Sequence, residues 1–319
     1  MSKYKYNHYI SKFYLSWFEK EIDIKWFKTK WCYYWDFKKN PDWKMDKRIF
    51  SSIENIWWEN HIFNDLDFKN WKKIFIPKIE KEFQLIEWPF SKIIKKLKNK
   101  GQKNFYDLTI SDKNIFIDFI RLQIFRSVSV DSEISKKLKE KVSEWIHQAK
   151  KEFWEKKFLE LSKSEWFEEK LFHNSRNELY KNFLKGEELH DLLINRWWHF
   201  LYITKKKKSF ITCDFPIYRI NSSWKSNWII EPTTEIIFPL TSKICLIIYW
   251  DKNNIEHIIH NDNNYIKKIN WMMLWNASNL VVSESKELLL KMIKWKKNKS
   301  KYLYPKNIHL TINPTNKGL

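Results

Sequence analysis

His199–Thr204, with the sequence HFLYIT, marks the point where the pattern of apolar residues changes from helical to extended. Before this segment, apolar residues recur every three to four positions, which is the spacing of a buried helix face. After it, the apolar runs are short, rich in β-branched and aromatic residues, and separated by polar turns, as in β-strands. Helices followed by strands predict an α+β protein rather than an alternating α/β one.

Five predicted strands follow the predicted helix that ends at Asn195. They are His199–Thr204, Phe210–Cys213, Glu235–Pro239, Lys243–Tyr249 and the short Leu280–Ser283. Four consecutive lysines, Lys205 to Lys208, separate the first two strands, and such a charged run is typical of a solvent-exposed hairpin tip.

Apolar periodicity also defines the predicted helices. One begins after Pro77, where a missing N–H does no harm, and Pro89 is expected to break or kink it. A second spans Ser111–Arg126, with Ser111 as its N-cap. Further helices are predicted at Asp131–Lys157, Ser164–Phe183, Glu187–Asn195, Tyr265–Asn276 and Lys286–Lys297.

The N-terminal part adds a hairpin, because Cys32–Phe37 and Lys47–Ser51 flank the turn sequence Asn40–Trp43. We therefore predict a single domain in which a helical layer precedes and packs on a mostly antiparallel sheet. Its parts are a hairpin region (1–75), a helical part (76–197), a β-rich part (198–297) and a loosely held tail (298–319).

The composition is unusual, with 20 tryptophans and three glycines in 319 residues. Trp43, Trp224, Trp228 and Trp250 stand in turn sequences where glycine is the usual residue. Some bacterial lineages translate UGA as glycine and others as tryptophan. Reading glycine UGA codons as tryptophan would produce this pattern, which we call the recoding hypothesis. The alternative is a tryptophan-rich surface that stacks on carbohydrate or nucleic-acid bases.

The formal net charge of +21 comes almost entirely from lysine. Only six of the 59 basic residues are arginine, the side chain whose planar fork recognises phosphate and guanine. Lysine codons accumulate in A/T-rich genomes without selection for binding. The positive charge makes nucleic acid a candidate partner. Because it comes mostly from lysine, it is weaker evidence of nucleic-acid binding than its size suggests.

The three cysteines, Cys32, Cys213 and Cys245, are odd in number and far apart, which argues against a disulfide framework or a zinc ribbon. The N-terminus lacks an uninterrupted apolar core, and no window approaches the ~20 apolar residues of a membrane span. We therefore expect a cytoplasmic protein that does not associate with membranes.

Four strings of sequence resemble motifs of the uncharacterised bacterial domain-of-unknown-function 4238 family. They are His8–Phe18 (HYISKFYLSWF), Ile86–Trp88 (IEW), Leu122–Ser127 (LQIFRS) and Phe210–Ile217 (FITCDFPI), supported by Phe238–Leu240 (FPL) and Asn270. The corresponding family strings are H-Y-[VI]-P-x-F-Y-L, I-E-G, Q-x-x-R and F-I-T-S-D-N-P-V. The resemblance covers most of the chain and implies no particular activity.

Several positions depart from the family strings. Ser11 replaces a proline, and Cys213 and Phe215 replace a serine and an asparagine. Trp17 and Trp88 stand where the family commonly has glycine, which supports the recoding hypothesis independently of the turns.

Five polar residues lie beside apolar runs within these strings: His8, Glu87, Gln123, Arg126 and Asp214. We expect their side chains to gather in one pocket as a candidate catalytic site. Glu87 and Asp214 are candidate ligands for Mg²⁺ or Mn²⁺, because these ions prefer carboxylate oxygens. His8 is a candidate ligand or general base, and Arg126 a candidate for holding phosphate or a developing negative charge.

This set of residues predicts a metal-assisted hydrolase that acts on a phosphorylated or nucleic-acid substrate. The alternative is a non-enzymatic binding or regulatory module in which Arg126 pairs with Glu87 or Asp214 in a structural network. A basic groove leading to the two carboxylates would favour the hydrolase, and evenly spread lysines would favour the binding module.

Overall fold

The computed structural model describes residues 6–8, 11–24, 27–40, 50–53, 56, 58–60, 65–69, 72–76, 78–100, 108–152, 165–221, 234–249, 258–259 and 263–299. Within these ranges the chain forms eight α-helices and fourteen strands. The predicted α+β class is confirmed: a helical layer separates an N-terminal group of strands from the main C-terminal sheet.

The helices are α1 (Lys12–Leu15), α2 (Lys78–Lys100), α3 (Ile110–Phe125), α4 (Val128–Glu152), α5 (Glu165–Lys185), α6 (Glu188–Ile194), α7 (Asn263–Asn276) and α8 (Lys286–Lys299). A 3₁₀ turn, Ser16–Phe18, extends α1. In the described part of the chain, no helix is both long and apolar enough to cross a membrane.

The N-terminal strands are β1 (Tyr6–His8), β2 (Lys20–Ile24), β3 (Phe27–Asp36), β4 (Phe50–Ser51), β5 (Trp58–Asn60), β6 (Asp65–Lys69) and β7 (Lys72–Ile76). The C-terminal strands are β8 (Trp197–Tyr202), β9 (Thr212–Cys213), β10 (Tyr218–Asn221), β11 (Thr234–Pro239), β12 (Ile244–Tyr249), β13 (Ile258–Ile259) and β14 (Leu280–Ser283).

The main sheet has the order β10-β11-β12-β8-β13, antiparallel except for the parallel pair of β13 with β8. Alternate residues of each strand face opposite sides. Phe200, Phe238 and Leu246 face the core shared with α3. Leu201 and Ile247 face a second core, shared with α7 and α8. Because helices cover both faces, every residue of β12 is buried.

A second sheet joins the two ends of the chain, with the order β2-β3-β14-β9 and β4 paired on β3. The predicted N-terminal hairpin is confirmed by the antiparallel pairs Cys32↔Ser51 and Tyr33↔Phe50. The hairpin predicted around Lys205 to Lys208 is wrong, because β8 and β9 on either side of this exposed turn belong to different sheets.

Two local predictions about the long helices are corrected by the structure. Helix α2 is not interrupted at Pro89, so the predicted break is absent. The carbonyl that loses its partner belongs to Leu85, which is 75% exposed and faces the solvent side of the helix. The N-cap of α3 is Thr109 rather than Ser111, because Thr109 and Asp112 form a reciprocal capping box.

Residues 11–18 form a wedge between the helical layer and the main sheet. Phe13 packs edge-on against Phe90 and Phe119. Tyr14 packs on Phe238, and its hydroxyl donates to the carbonyl of Pro239 at 2.5 Å. Residues 11–18 of the first family-like string therefore form a core element that joins helices to sheet.

The three cysteines of the chain are free and buried. Cys32 lies in β3, Cys213 in β9 and Cys245 in β12, and burial raises the pKa of each thiol. The predicted lack of a disulfide framework is confirmed.

Candidate functional site

An ion pair between the helices α2 and α3 forms the centre of the candidate site. Nη1 of Arg126 donates to Oε1 of Glu87 at 2.7 Å. The side chain of Arg126 is 4% exposed and that of Glu87 is 17% exposed. The sequence predicted both residues as members of one site, and the structure brings them into direct contact.

Three further residues surround this pair. Nη2 of Arg126 lies 3.6 Å from Oε1 of Glu80, two helical turns before Glu87 on the same face of α2. The guanidinium also lies over the ring of Phe83, 4.9 Å from its centroid. The Ser11 hydroxyl hydrogen-bonds the Glu87 carboxylate. Oγ of Ser11 also accepts from the backbone amide of Tyr14 at 3.4 Å.

Opposing influences act on the pKa of the Glu87 carboxyl. Burial raises the pKa of this carboxyl, and the nearby Glu80 adds to the rise. The Arg126 guanidinium and the Ser11 hydroxyl act in the opposite direction, because both stabilise the carboxylate. The pKa of Glu87 therefore lies above its ordinary value despite the direct ion pair.

Gln123 lies one helical turn before Arg126 on α3 and is 1% exposed. Among the described residues, its Nε2 has no hydrogen-bond partner. A buried amide nitrogen without an acceptor costs about 1–3 kcal/mol, which the rest of the fold must offset.

His8 lies in β1, directly opposite Trp58 of β5. The position of its side chain lies outside the described part of the structure. The predicted role of His8 as a ligand or general base stays a prediction.

Asp214 follows β9 and contacts the turn after α7. Its two carboxylate oxygens accept the backbone amides of Ser278 at 2.9 Å and Asn279 at 2.8 Å. Its own amide donates to the carbonyl of Leu280 at 3.0 Å. With 2% exposure, this aspartate holds the turn 278–279 against the end of β9.

Helix α1 lies between the Glu87–Arg126 pair and β9, the strand that Asp214 follows. Ser11 at its start contacts Glu87, and the Tyr14 hydroxyl lies 2.6 Å from Oγ1 of Thr212, two residues before Asp214. Asp214 contacts the 278–280 turn, whereas Glu87 contacts Arg126 in the helical layer and Ser11 in the wedge. The gathering of all five predicted residues in one pocket stays a prediction.

The predicted metal ligands have other partners in the described structure. Among the described residues, no group of three or more His, Cys, Asp or Glu side chains is arranged to hold a metal ion. Glu87 faces a guanidinium and Asp214 faces two amide donors, and both environments compete with a cation for the same oxygens.

Sequence reasoning missed Ser11, Glu80 and Tyr14 as members of this polar core. Glu80 was detectable, because it lies seven residues before Glu87 and therefore on the same helix face.

Asn270 was noted only as a family-like position. Its amide group accepts from the Ile211 amide and donates to the Ser209 carbonyl, each at 2.9 Å, and so ties α7 to the segment before β9.

The structure predicts how the stability contributed by Asp214 depends on pH. Burial raises the pKa of its carboxyl to about 6, against about 3.9 in an unfolded chain. Between these values the native state holds a proton that the unfolded chain has lost, so this contribution falls as the pH rises from about 4 to about 6.

We expect D214N to remove this pH dependence and to lower overall stability, because asparagine offers one acceptor oxygen to two amides. The measurement is thermal unfolding of both proteins from pH 4 to pH 7.5. The stability of the wild type relative to D214N should decrease up to about pH 6 and then stay constant. A difference that is flat or increases with pH would contradict the assignment.

Comparison with known protein families gives a match to the proteins of unknown function grouped as DUF4238, over residues 6–287. No curated protein and no solved structure matches the chain significantly. The matched range includes all four family-like strings, the Glu87–Arg126 pair and Asp214. Since it also covers most of the 319 residues, this chain belongs to the DUF4238 family.

Proposed function

We propose that this protein is a non-enzymatic binding module for a phosphorylated ligand, and that its Glu87–Arg126 cluster is structural. The observation that carries the proposal is the direct 2.7 Å contact between the two side chains, with Arg126 almost fully buried. A guanidinium that is already paired with one carboxylate and lies close to a second is poorly placed to receive a phosphate.

The environment of Asp214 supports the same conclusion. Both of its oxygens accept backbone amides from the turn 278–279, and the group is 2% exposed. These bonds fix the path of the chain between α7 and β14, which is a structural task. The net charge of +21 supports an anionic ligand.

The second candidate function is a metal-assisted hydrolase acting on a phosphorylated or nucleic-acid substrate. One observation favours it: Glu87 retains 17% exposure and has a raised pKa, as a carboxyl group that exchanges protons with a substrate requires. In this proposal Glu87 and Asp214 hold Mg²⁺ or Mn²⁺, with His8 as a further ligand or base.

The E87Q variant distinguishes the two proposals. A binding module should hydrolyse neither phosphate esters nor nucleic acids, with or without Mg²⁺ or Mn²⁺, and E87Q should mainly change stability. Glutamine keeps the size of the side chain but weakens the bond to Arg126, so we expect a lower melting temperature and unchanged ligand affinity.

The hydrolase proposal predicts metal-dependent turnover that E87Q abolishes while the protein stays folded. Circular dichroism and a turnover assay on the same samples separate these outcomes. Turnover that depends on added metal and disappears in folded E87Q would disprove the structural role. The hydrolase proposal predicts the same loss of turnover in folded D214N, which alters the second proposed ligand, whereas the binding-module proposal predicts a change in stability only.

We also propose that several tryptophans of this chain stand for glycine. The four turn positions of the recoding hypothesis lie outside the described residues. Trp88, at a family glycine position, is 64% exposed on α2. Trp17, at the other, buries an indole N–H that has no acceptor among the described residues, although buried tryptophans usually find one.

A further inference from the structure

A cleft of about 640 Å³ lies between the 3₁₀ turn after α1, the C-terminal half of α2 and the hairpin β2–β3. This volume is in the range of small-molecule sites. Ser91, which lines it, follows Glu87 by one helical turn on α2. The cleft therefore lies along α2 from one helical turn beyond Glu87 towards the C-terminal end of the helix.

Three lysines line this cleft from two sides: Lys95 and Lys98 on α2, and Lys30 on β3. No ion pair joins any of them to another described residue, and Lys98 lies over the ring of Trp17 at 5.4 Å. The α2 wall of the cleft carries Lys95 and Lys98 and no carboxylate, so its potential is positive, whereas Lys30 on β3 lies directly opposite Glu21 on β2. An anion is the ligand that the α2 wall favours.

The remaining walls offer hydrogen-bonding groups. The hydroxyls of Ser16 and Ser91 donate to the carbonyls of Phe13 at 2.6 Å and Trp88 at 2.9 Å, so their oxygens can accept from the hydroxyl groups of a ligand. Glu19 and Glu21 lie on the β2 side of the cleft, where their carboxylates can accept from the hydroxyl or amino groups of a ligand. A ligand that satisfies every wall has a phosphate at one end and hydroxyl groups at the other.

We infer that this cleft binds a small phosphorylated molecule of nucleotide size, with its phosphate at Lys95 and Lys98 on the α2 wall. The inference rests on the proposed function and assigns it a place and a ligand class. A polynucleotide fits less well, because Glu19 and Glu21 would repel its continuous phosphate backbone. A glycine at position 17, as in the recoding hypothesis, would widen the cleft and leave all three lysines in place.

The test is isothermal titration calorimetry with AMP, ribose 5-phosphate, adenosine and a single-stranded oligonucleotide, (dT)₁₅. The variant is K95M/K98M, which removes two charges and keeps most of each apolar stem. Its matched control is K205M/K207M, which removes two charges from the exposed turn between the two sheets.

We expect the wild type to bind AMP and ribose 5-phosphate, and to bind adenosine at least tenfold more weakly. K95M/K98M should weaken AMP binding at least tenfold, and K205M/K207M less than twofold. Equal effects of the two variants, or tighter binding of (dT)₁₅ than of AMP, would overturn the inference.

The outcomes also separate this inference from the proposed function. If AMP binds the wild type and K95M/K98M equally well, the ligand site lies elsewhere, and the protein is still a binding module. If none of the phosphorylated probes binds, both proposals fail. Melting temperatures of all three proteins establish that each variant is folded.

Discussion

Replacing Arg126 by methionine should lower the free energy of unfolding by about 3–5 kcal/mol, the usual cost of removing one partner from a buried ion pair. Methionine fills much of the volume of the arginine side chain. The loss of stability therefore comes from the two carboxylates that remain without a cation. Glu87 and Glu80 would then face each other without a cation, at 17% and 12% exposure. Urea denaturation followed by circular dichroism measures the change.

A second substitution tests whether the ion pair is the cause. In R126M/E87Q the unpaired charge of Glu87 is absent, so we expect part of the lost stability to return. K137M is the control, because Lys137 forms a fully exposed pair with Glu133, and little or no change is expected there. A loss in R126M no larger than that in K137M would contradict a structural role for the cluster.

Replacing Trp271 by glycine should leave the protein as stable as before or raise its stability by up to about 2 kcal/mol. The ring centroids of Trp271 on α7 and Trp295 on α8 are 2.5 Å apart, whereas aromatic pairs in proteins lie about 4.5–7 Å apart. The space between the two helices is therefore too small for two indoles. Removing one relieves overpacking, and glycine in a helix costs about 1 kcal/mol.

Trp198 provides the matched control. It is 7% exposed and is the second residue of β8. Its Nε1 donates to the carbonyl of Leu193 at 3.0 Å, and its ring packs against Phe116. W198G should therefore lose about 3–5 kcal/mol.

Thermal unfolding of W271G, W295G and W198G compares these positions directly. A loss of stability in both W271G and W295G as large as that in W198G would disprove the recoding hypothesis for this pair. The nucleotide sequence gives a second, independent check, because UGG codons at Trp271 and Trp295 would also disprove it there.

The sequence by itself determined the class of the fold and the position of most of its elements. Periodicity is a local property, so the change at His199–Thr204 separated helices from strands, and the strand Leu280–Ser283 was predicted with the bounds that the structure has. The contact between Glu87 and Arg126 was also accessible, because both residues lie in family-like strings next to buried helix faces.

Only the tertiary structure decided which strands pair and what each polar group contacts. The pairing of β14 with both β3 and β9 joins segments that are more than 60 residues apart, and no local pattern encodes such a contact. Asp214 illustrates the same limit. The sequence identified it as a polar residue at a strand end, but its partners, Ser278 and Asn279, approach it only when α7 packs on the sheet. Local sequence fixes which backbone shapes are favourable, whereas the partner of a buried charge depends on how those shapes pack together.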